Sequence, residues 1–386
     1  MNVAGIIAEY NPFHLGHAYQ IAETRRALGA DLPVVCAMSG NWVQRGECAL
    51  TDKWTRAGMA LRGGADLVLE IPTLWAAASA ETFARGGVGV LRATGVVDGL
   101  SFGSETGDTE GLRAVAACLD SEPYRAGLGR FLDEGMPFAA CRQAVVRGIL
   151  GDRADLLGSP NDNLAAEYLR AVPAGWEALA VRRVGVGHDG GAAGGYASAS
   201  QLREWLRAGK IQRAEGFLAE PWQGEIASME WVERAVLARL RGMSLEEAQR
   251  LPDSGEGLAQ RLLAGAREAR TLTEVYDLAK TKRYAHARIR RMALWALLGL
   301  TAEDRPAEVP YLRVLGFTPR GRELLREMWK RSTVPILTKP AHVRGMGAEA
   351  ERVFGLEARC TDLYGLCFDQ VKAGAREWTE GPAIVG

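Results

Sequence analysis

Net charge is missing from this chain: 47 lysines and arginines meet 47 aspartates and glutamates. Bulk electrostatics therefore offers no pull toward nucleic acid, and any RNA contact has to come from a local patch. Long apolar runs are missing too. No stretch reaches the ~18 residues that span a bilayer, so no membrane partner is expected. The opening M-N-V-A-G-I-I carries no basic n-region and enters a core strand at once, so a cytoplasmic protein is expected rather than a secreted one. Six cysteines (Cys36, Cys48, Cys118, Cys141, Cys360 and Cys367) form no C-x-x-C pair. They read as reduced, mostly buried thiols rather than a disulfide framework. No internal repeat, low-complexity segment or Pro- or Ser-rich linker interrupts the chain.

What is present is an ordinary globular composition, 47% hydrophobic and 24% charged over 386 residues, enough for two or three domains. Short β-branched apolar runs predict strands at Val3–Ala8, Leu32–Met38, Asp66–Ile71, Val96–Phe102 and Trp176–Val184. Helical periodicity predicts helices from about His14, over Trp54–Leu61 after a Thr51-Asp52 start, over Ala80–Ala93, and from near Ser200. Residues 110 to 170 read as mainly helical, and a glycine-rich loop runs from Gly185 to Gly195. Alternating strands and helices imply a doubly wound parallel α/β sheet with ligands at the carboxyl ends of its strands. Beyond Ala208 the chain reads as helical apart from a strand at Tyr311–Phe317. The expected domains are therefore a catalytic unit over 1–210 and a mainly helical unit over 211–386.

Gly5–His17, G-I-I-A-E-Y-N-P-F-H-L-G-H, is the stretch around which the rest is organised. An apolar strand reaches Asn11-Pro12, a turn pair, and a helix follows. That geometry sets backbone N–H groups and two imidazoles at a helix N-terminus, where phosphate binds readily. His14 and His17 are three residues apart and project from one side of the first turn. Gly16 between them leaves room for a ligand to approach. An H-x-x-H pair also suits a structural metal or a helix cap, although zinc needs further ligands and no cysteine cluster accompanies these histidines. No residue is assigned as a metal ligand.

H-x-G-H after a strand resembles the signature of the nucleotidylyltransferase superfamily, a Rossmann-like fold of the HUP type, in which both histidines bind ATP phosphates. Four further stretches sharpen the likeness: M-S-G-N-W-V-Q-R-G-E-C-A (Met38–Ala49), K-W-T-R-A-G-M-A-L…G-A-D-L-V-L-E-I-P (Lys53–Pro72), F-G-S-E (Phe102–Glu105) and S-P-N-D-N-L-A-A-E-Y (Ser159–Tyr168). With A-E-Y-N-P-F-H-L-G-H, T-K-R-Y (Thr281–Tyr284) and Y-L-R-V-L-G-F (Tyr311–Phe317), the chain resembles the bacterial tRNA(Met) cytidine acetate ligase family. The resemblance implies acetylation of the N4 amine of the wobble cytidine (position 34) of elongator tRNA(Met). Acetate would be activated by ATP as acetyl-adenylate, with AMP and pyrophosphate released and Mg2+ assisting. No protein partner is implied.

Carried over residue by residue, the resemblance makes His14, His17 and Arg203 the catalytic set. It makes Ile7, Ala8, Glu9, Tyr10, Asn11, Pro12, Phe13, His14, Leu15, Gly16, His17, Ala18, Tyr19 and Gln20 the ATP-binding run, joined by Gly103, Asn161, Arg183 and Ser200. Each has a plainer reading: Gly103 as a turn glycine, Asn161 as a helix cap, and Arg203 as a surface arginine beside a capped helix. Arg182 leaves the register of Arg183 ambiguous by one. Ser198-Ala-Ser-Gln-Leu-Arg203 resembles the superfamily's second phosphate motif, with Ser200 capping the helix. This chain carries His188-Asp189 where the family usually has Tyr-His, and Cys48 where proline is common.

Gln44 and Arg45 follow the second strand and are candidates to hold the adenylate or the incoming cytidine, with a solvated loop arginine as the plainer reading. Lys53 and Arg56 read as a solvated helix face. Between Lys280 and Arg291 stand six lysines and arginines and no acid. Lys282, Arg283, Arg288, Arg290 and Arg291, with Tyr284 among them, suit an RNA backbone and an unstacked base; a solvated amphipathic helix explains the charge pattern too. The alternative function within the same fold is a small-molecule adenylyltransferase, and an RNA-binding protein with a non-catalytic nucleotide site is the remaining one.

Overall fold

The structure, a computed structural model of the chain, describes residues 1–133, 136–184, 192–193 and 195–386. Its centre is a sheet of eight strands: β1 (Ala4–Ala8), β2 (Val34–Ser39), β3 (Leu67–Ile71), β4 (Gly99–Ser104), β5 (Glu177–Arg182), β6 (Leu312–Phe317), β7 (Ile336–Leu337) and β8 (Ala383–Ile384). The order is β7-β6-β3-β2-β1-β4-β5, with β8 also paired to β6. β1 to β5 are mutually parallel. The chain builds outward from β1 to β3, then returns to the other side of β1 for β4 and β5. This puts a topological switch point between β1 and β4, the crevice where doubly wound sheets bind ligands.

The expected strands are found within a few residues. β4 begins at Gly99 rather than Val96, because the Asp98 carboxylate in front of it takes the backbone N–H groups of Asn2 and Val3 at 2.8–3.0 Å, and Val96–Asp98 is spent anchoring the N-terminus. The principal helices are α1 (Leu15–Leu28), α2 (Lys53–Arg62), α3 (Ala80–Ala93), α4 (Pro160–Ala171), α5 (Ala199–Arg207), α6 (His286–Leu298), α7 (Ala348–Tyr364) and α8 (Arg376–Thr379). Asp52 caps α2 through the Thr55 N–H at 2.9 Å, as T-D at that position implies.

The expected boundary near residue 210 does not separate two cores. β6 from the C-terminal half lies antiparallel against β3, and one cluster of buried side chains contains Leu69 of β3, Trp295 of α6 and Phe354 of α7. Trp295 Nε1 donates to Ala77 O at 2.6 Å and Trp42 Nε1 to Cys360 O at 3.0 Å. The helical half is thereby joined to the edge of the nucleotide-fold sheet.

Lys53 and Arg56 are not a solvated face: both are wholly buried. The Arg56 guanidinium donates to Thr51 O (3.0 Å), Glu9 O (2.6 Å), Ser39 O (3.2 Å) and Gly40 O, tying the carboxyl ends of β1 and β2 together. Lys53 Nζ meets Glu70 of β3 at 2.6 Å, Glu377 of α8 at 2.5 Å and Glu357 of α7 at 3.9 Å. Arg313 of β6 reaches Glu377 at 3.4 Å. These partners lie as many as 324 residues away in sequence, beyond the reach of a helical-face argument. Burial lowers the Lys53 ammonium's proton affinity, but the three carboxylates outweigh it and hold the group charged. Burial raises Glu70 to about 8 against the counter-effect of Lys53. A proton on Glu70 leaves two cations facing two carboxylates.

Removing one partner from such a cluster leaves buried charge uncompensated, so Lys53→Met should cost about 3–5 kcal/mol of stability in urea unfolding. Glu70 holds in the fold a proton that the unfolded chain releases near 4.5. The cluster's contribution to stability therefore declines as pH rises from 4.5 to about 8, and Glu70→Gln should remove that slope. Unfolding midpoints of the two proteins compared at pH 5 and pH 9 check this: the variant gains relative to the parent at the higher pH.

Candidate active site

β1 ends at Ala8, and Glu9–His14 cross to α1 at the switch point. Tyr10 holds a left-handed backbone (φ 45°), the Asn11-Pro12 bond is cis, and Arg203 Nη1 from α5 grips Asn11 O at 2.8 Å. Asn11 Oδ1 accepts the Leu50 N–H at 2.7 Å. A turn held from several sides fixes where α1 starts.

At that start His14 is the N-cap. Its Nδ1 accepts the Gly16 N–H at 3.0 Å, and His17 Nδ1 accepts the His14 N–H at 3.2 Å. A backbone N–H only donates, so both Nδ1 atoms must be lone-pair acceptors, and each neutral ring carries its proton on Nε2. The rings stack with centroids 3.7 Å apart, and His17 is flanked by Tyr10 and Phe13. Burial, followed by the nearby Arg183 and Arg203, lowers His14 to about 3; burial, His14 and Arg183 push His17 well below its ordinary value. Both are neutral N–H donors at pH 7.

The helix-terminal amides expected to face the ligand are engaged within the protein. Leu15 N–H goes to Phe217 O at 3.0 Å, Gly16 N–H to His14 Nδ1, and His17 N–H to His14 O at 2.8 Å. The imidazoles keep their Nε2–H groups as donors. Gly16 also has a packing reason to be glycine: a Cβ there would fall 2.9 Å from the His14 ring.

A cleft opens in front of these rings, lined by His14, Gly16, His17, Tyr19 and Gln20 of α1, Gly103 at the end of β4, Val181–Val184 around the end of β5, and Tyr196 and Ala197. The imidazoles and Arg183 bring polar groups to its lining, and Tyr196 stands edge-on to Tyr19 at 6.2 Å. A Cβ on Gly103 would come no nearer than 3.7 Å to any protein atom, so the glycine keeps the cleft open and the fold does not demand it.

Two guanidiniums border the site without ion-pair partners among the described residues. Arg183 anchors its backbone N–H on Ser104 O at 2.9 Å, and its half-buried side chain makes no hydrogen bond there. Arg203 contacts only Asn11 O and Ser200 Oγ, the latter at 3.1 Å. Burial lowers both from the usual guanidinium value, yet arginine stays charged at neutral pH. Arg182, one residue earlier, is exposed.

Ser198, not Ser200, caps α5, its Oγ taking the Gln201 N–H at 3.2 Å; Ser200 sits inside the first turn and receives Arg203 instead. Asn161 is not a cap either. It lies in the first turn of α4 and gives its Nδ2 to Glu105 Oε1 at 2.6 Å, while Glu105 also takes the Asn161 and Asp162 amides at 3.2 and 2.9 Å. Asn161 is thereby held beside the end of β4 and outside the cleft lining. Glu105 was not singled out by sequence reasoning, although F-G-S-E ends on it. Tyr196 was missed as well, and its only signal was an aromatic two residues before Ser198. Gln44 donates its N–H to Glu9 Oε1 at 2.8 Å, and the Arg45 charge acts on Arg203. His188 and Asp189 lie outside the described residues, as does most of the Gly185–Gly195 loop.

The basic stretch differs from the expected stripe. Residues 282–284 precede α6 and are not helical, so the basic run does not lie on one helix. Tyr284 is buried, with its hydroxyl on Glu256 O, and is not free to stack on a base. Acids from elsewhere in the chain meet three of the arginines: Arg288–Glu256 at 2.8 Å, Arg290–Glu47 at 2.6 Å and Arg291–Asp253 at 2.9 Å. Lys282 and Arg283 are exposed, with no ion-pair partner among the described residues. There too, no helix is long and apolar enough to cross a membrane, and no group of three or more His, Cys, Asp or Glu is placed to hold a metal ion.

Comparison with known proteins places this geometry. The HIGH Nucleotidyl Transferase family matches residues 1–377. The tRNA(Met) cytidine acetate ligase of Acetivibrio thermocellus is 33% identical over 100% of both chains. That of Fervidobacterium nodosum is 35% identical over 91% of this chain and 87% of its own. Among solved structures, Thermotoga maritima TmcAL bound with alpha-thio ATP superposes with a TM-score of 0.90 at 28% identity, covering 100% of this chain and 99% of that one. The apo form of the same protein gives 0.91 at 29% identity, with both chains covered in full.

Both imidazoles should titrate far below the free value. In a histidine-selective NMR titration of the ligand-free protein, His14 should stay neutral and Nε2-protonated down to about pH 4, consistent with its pKa near 3. Because the unfolded chain takes up the proton near 6.5, stability falls as pH drops from 6.5 toward 3. A triphosphate in the cleft raises both values, since an anion favours the charged ring.

Proposed function

The chain belongs to the tRNA(Met) cytidine acetate ligase family of HIGH nucleotidyl transferases, and from that premise we propose that it acetylates the N4 amine of the wobble cytidine (position 34) of elongator tRNA(Met) with ATP and acetate. The observation that carries the reading is the cleft at the β1/β4 switch point. Its lining combines neutral Nε2–H donors and Arg183 with Tyr19, Tyr196 and the space left open at Gly103, which suits a ligand with a planar base and an anionic tail. Its substrates put the reaction in the cytoplasm.

An acetate oxygen attacks the α-phosphorus of ATP, the bond to the β-phosphate breaks, and pyrophosphate leaves acetyl-AMP behind. The N4 amine then attacks the acetyl carbonyl, AMP departs, and the amine proton passes to solvent. Acetate alone is a poor acyl donor because oxide is a bad leaving group; adenylation replaces it with AMP. His14 and His17 meet charge gathering on the phosphate oxygens with N–H donors already fixed by the backbone, so no reorganisation is needed at the transition state. Arg203, steadied by Asn11 and Ser200, and Arg183 supply the balancing positive charge. Gly103 leaves the space the adenosine fills, and Asn161, oriented by Glu105 beside the end of β4, stands outside the present lining as a candidate to reach the nucleotide. The amine is barely basic, so transfer rests on positioning. Mg2+ would arrive with ATP on the phosphate oxygens, which suits a site whose described residues offer no carboxylate cage, and would supply further charge neutralisation. Exposed Lys282 and Arg283 are free of ion pairs among the described residues and can meet the RNA backbone.

Incubation with ATP, labelled acetate and unmodified tRNA(Met) should place label in N4-acetylcytidine after nucleoside analysis. Label confined to acetyl-AMP would overturn the RNA acceptor. His17→Ala should lower acetate-dependent ATP–pyrophosphate exchange by about 10²–10³-fold while leaving tRNA affinity largely intact; loss of both would make the histidine structural.

A further inference from the structure

The hairpin of Trp42–Val43 and Glu47–Cys48 touches both halves of the molecule. Toward the nucleotide site, Gln44 N–H donates to Glu9 Oε1 at 2.8 Å, on the residue that leaves β1 for the histidine turn. Toward the helical half, Glu47 Oε1 accepts Arg290 Nη1 at 2.6 Å. Gly46, at φ 77°, lies so close to α6 that a Cβ would sit 2.4 Å from Arg291 N and 2.6 Å from Arg290 C. Arg290 is also 5.6 Å from the Tyr276 ring, clamped between an aromatic face and a carboxylate. A side chain held in this way is a strut more than a roaming phosphate contact. The charges of Glu47, Glu9 and Arg45 all act on Arg203, so the hairpin reaches the phosphate end of the site. None of its residues lines the nucleotide cleft.

We propose that Glu47 is a positioning residue for the acetyl-transfer step: through Arg290 it fixes the hairpin tip, Gln44 and Arg45, where the acceptor cytidine meets the acetyl-adenylate. The proposal rests on the ligase reading. The groups that serve adenylation have anchors of their own, Arg203 on Asn11 O and Ser200 Oγ, so ATP chemistry feels the strut only through the part-exposed Glu47 charge, which solvent screens. Transfer brings in a second substrate, and the hairpin is the piece that links Glu9, beside the histidine turn, to α6. The Glu47–Arg290 pair is part-exposed, at 25% and 35% of side-chain area. It contributes little to stability, whereas a displacement of about 1 Å at a reacting group costs on the order of 10²-fold in rate. A small effect on folding with a large effect on one half-reaction is the expected signature.

The test uses the full chain. In Glu47→Gln, acetate-dependent ATP–pyrophosphate exchange keeps its rate and its KM for ATP within about twofold, and the melting temperature moves by about 2 °C or less. Single-turnover transfer from preformed acetyl-AMP to tRNA falls by about 10- to 100-fold. Glu47→Arg and Arg290→Glu each impair transfer, and the double exchange restores it. Equal loss in exchange and transfer, unchanged transfer in Glu47→Gln, or no rescue by the exchange overturns the proposal. A parent enzyme without acetate-dependent exchange overturns instead the ligase reading on which it rests.

Discussion

Positive charge kept largely out of water with no described carboxylate in ion-pair distance is the constraint on which the rest of this molecule depends. Arg183 and Arg203 are half-buried or more beside two stacked imidazoles, with no acid in ion-pair distance among the described residues. Isolated buried cations are unfavourable in a folded protein, so the surroundings must hold them in place. Arg203 is tied to Asn11 and Ser200, Arg183 to the end of β4, and the histidines to backbone amides. Glu105 acts on Arg183, and Glu47 and Glu9 on Arg203, from beyond ion-pair distance, and both rings keep their Nε2–H groups as donors.

The polar interior elsewhere follows the opposite rule. Around Lys53 the charges are matched: two cations face three carboxylates, one of which holds its proton. That cluster joins α2 and β3 to β6, α7 and α8, and Arg56 beside it ties the ends of β1 and β2. The histidine turn thus stands on a base to which the C-terminal segment contributes directly. A cluster of paired charges and one whose acids stand beyond ion-pair distance divide stability from function within one sheet.

The strand-turn-helix of Gly5–His17 and the fold class were legible in the sequence because their signals are local: a β-branched run, a turn pair and an apolar helical period. The family motifs pointed to His14, His17, Gly103 and Arg183, which the structure brings to one cleft. What failed depended on distant partners. Lys53 and Arg56 looked solvated because Glu377 and the β1 and β2 carbonyls are invisible from their own helix. Tyr284 looked available, and the arginines beside it unpaired, because Glu256, Glu47 and Asp253 come from other elements. Ser198 and Ser200 are equal as capping residues on paper, and only the backbone of the first turn chooses between them. The antiparallel addition of β6 left no local mark, since a short apolar run reads alike in a separate domain and at a sheet edge.

A structure of this protein with a non-hydrolysable ATP analogue tests the central claim most directly. The account predicts phosphate oxygens within hydrogen-bond distance of both His14 Nε2 and His17 Nε2, the Arg183 guanidinium turned toward them, and the base in the slot beside Gly103 and Tyr196. A triphosphate seated away from the β1/β4 crevice, or one held by the backbone amides of α1 with the imidazoles turned aside, would contradict it.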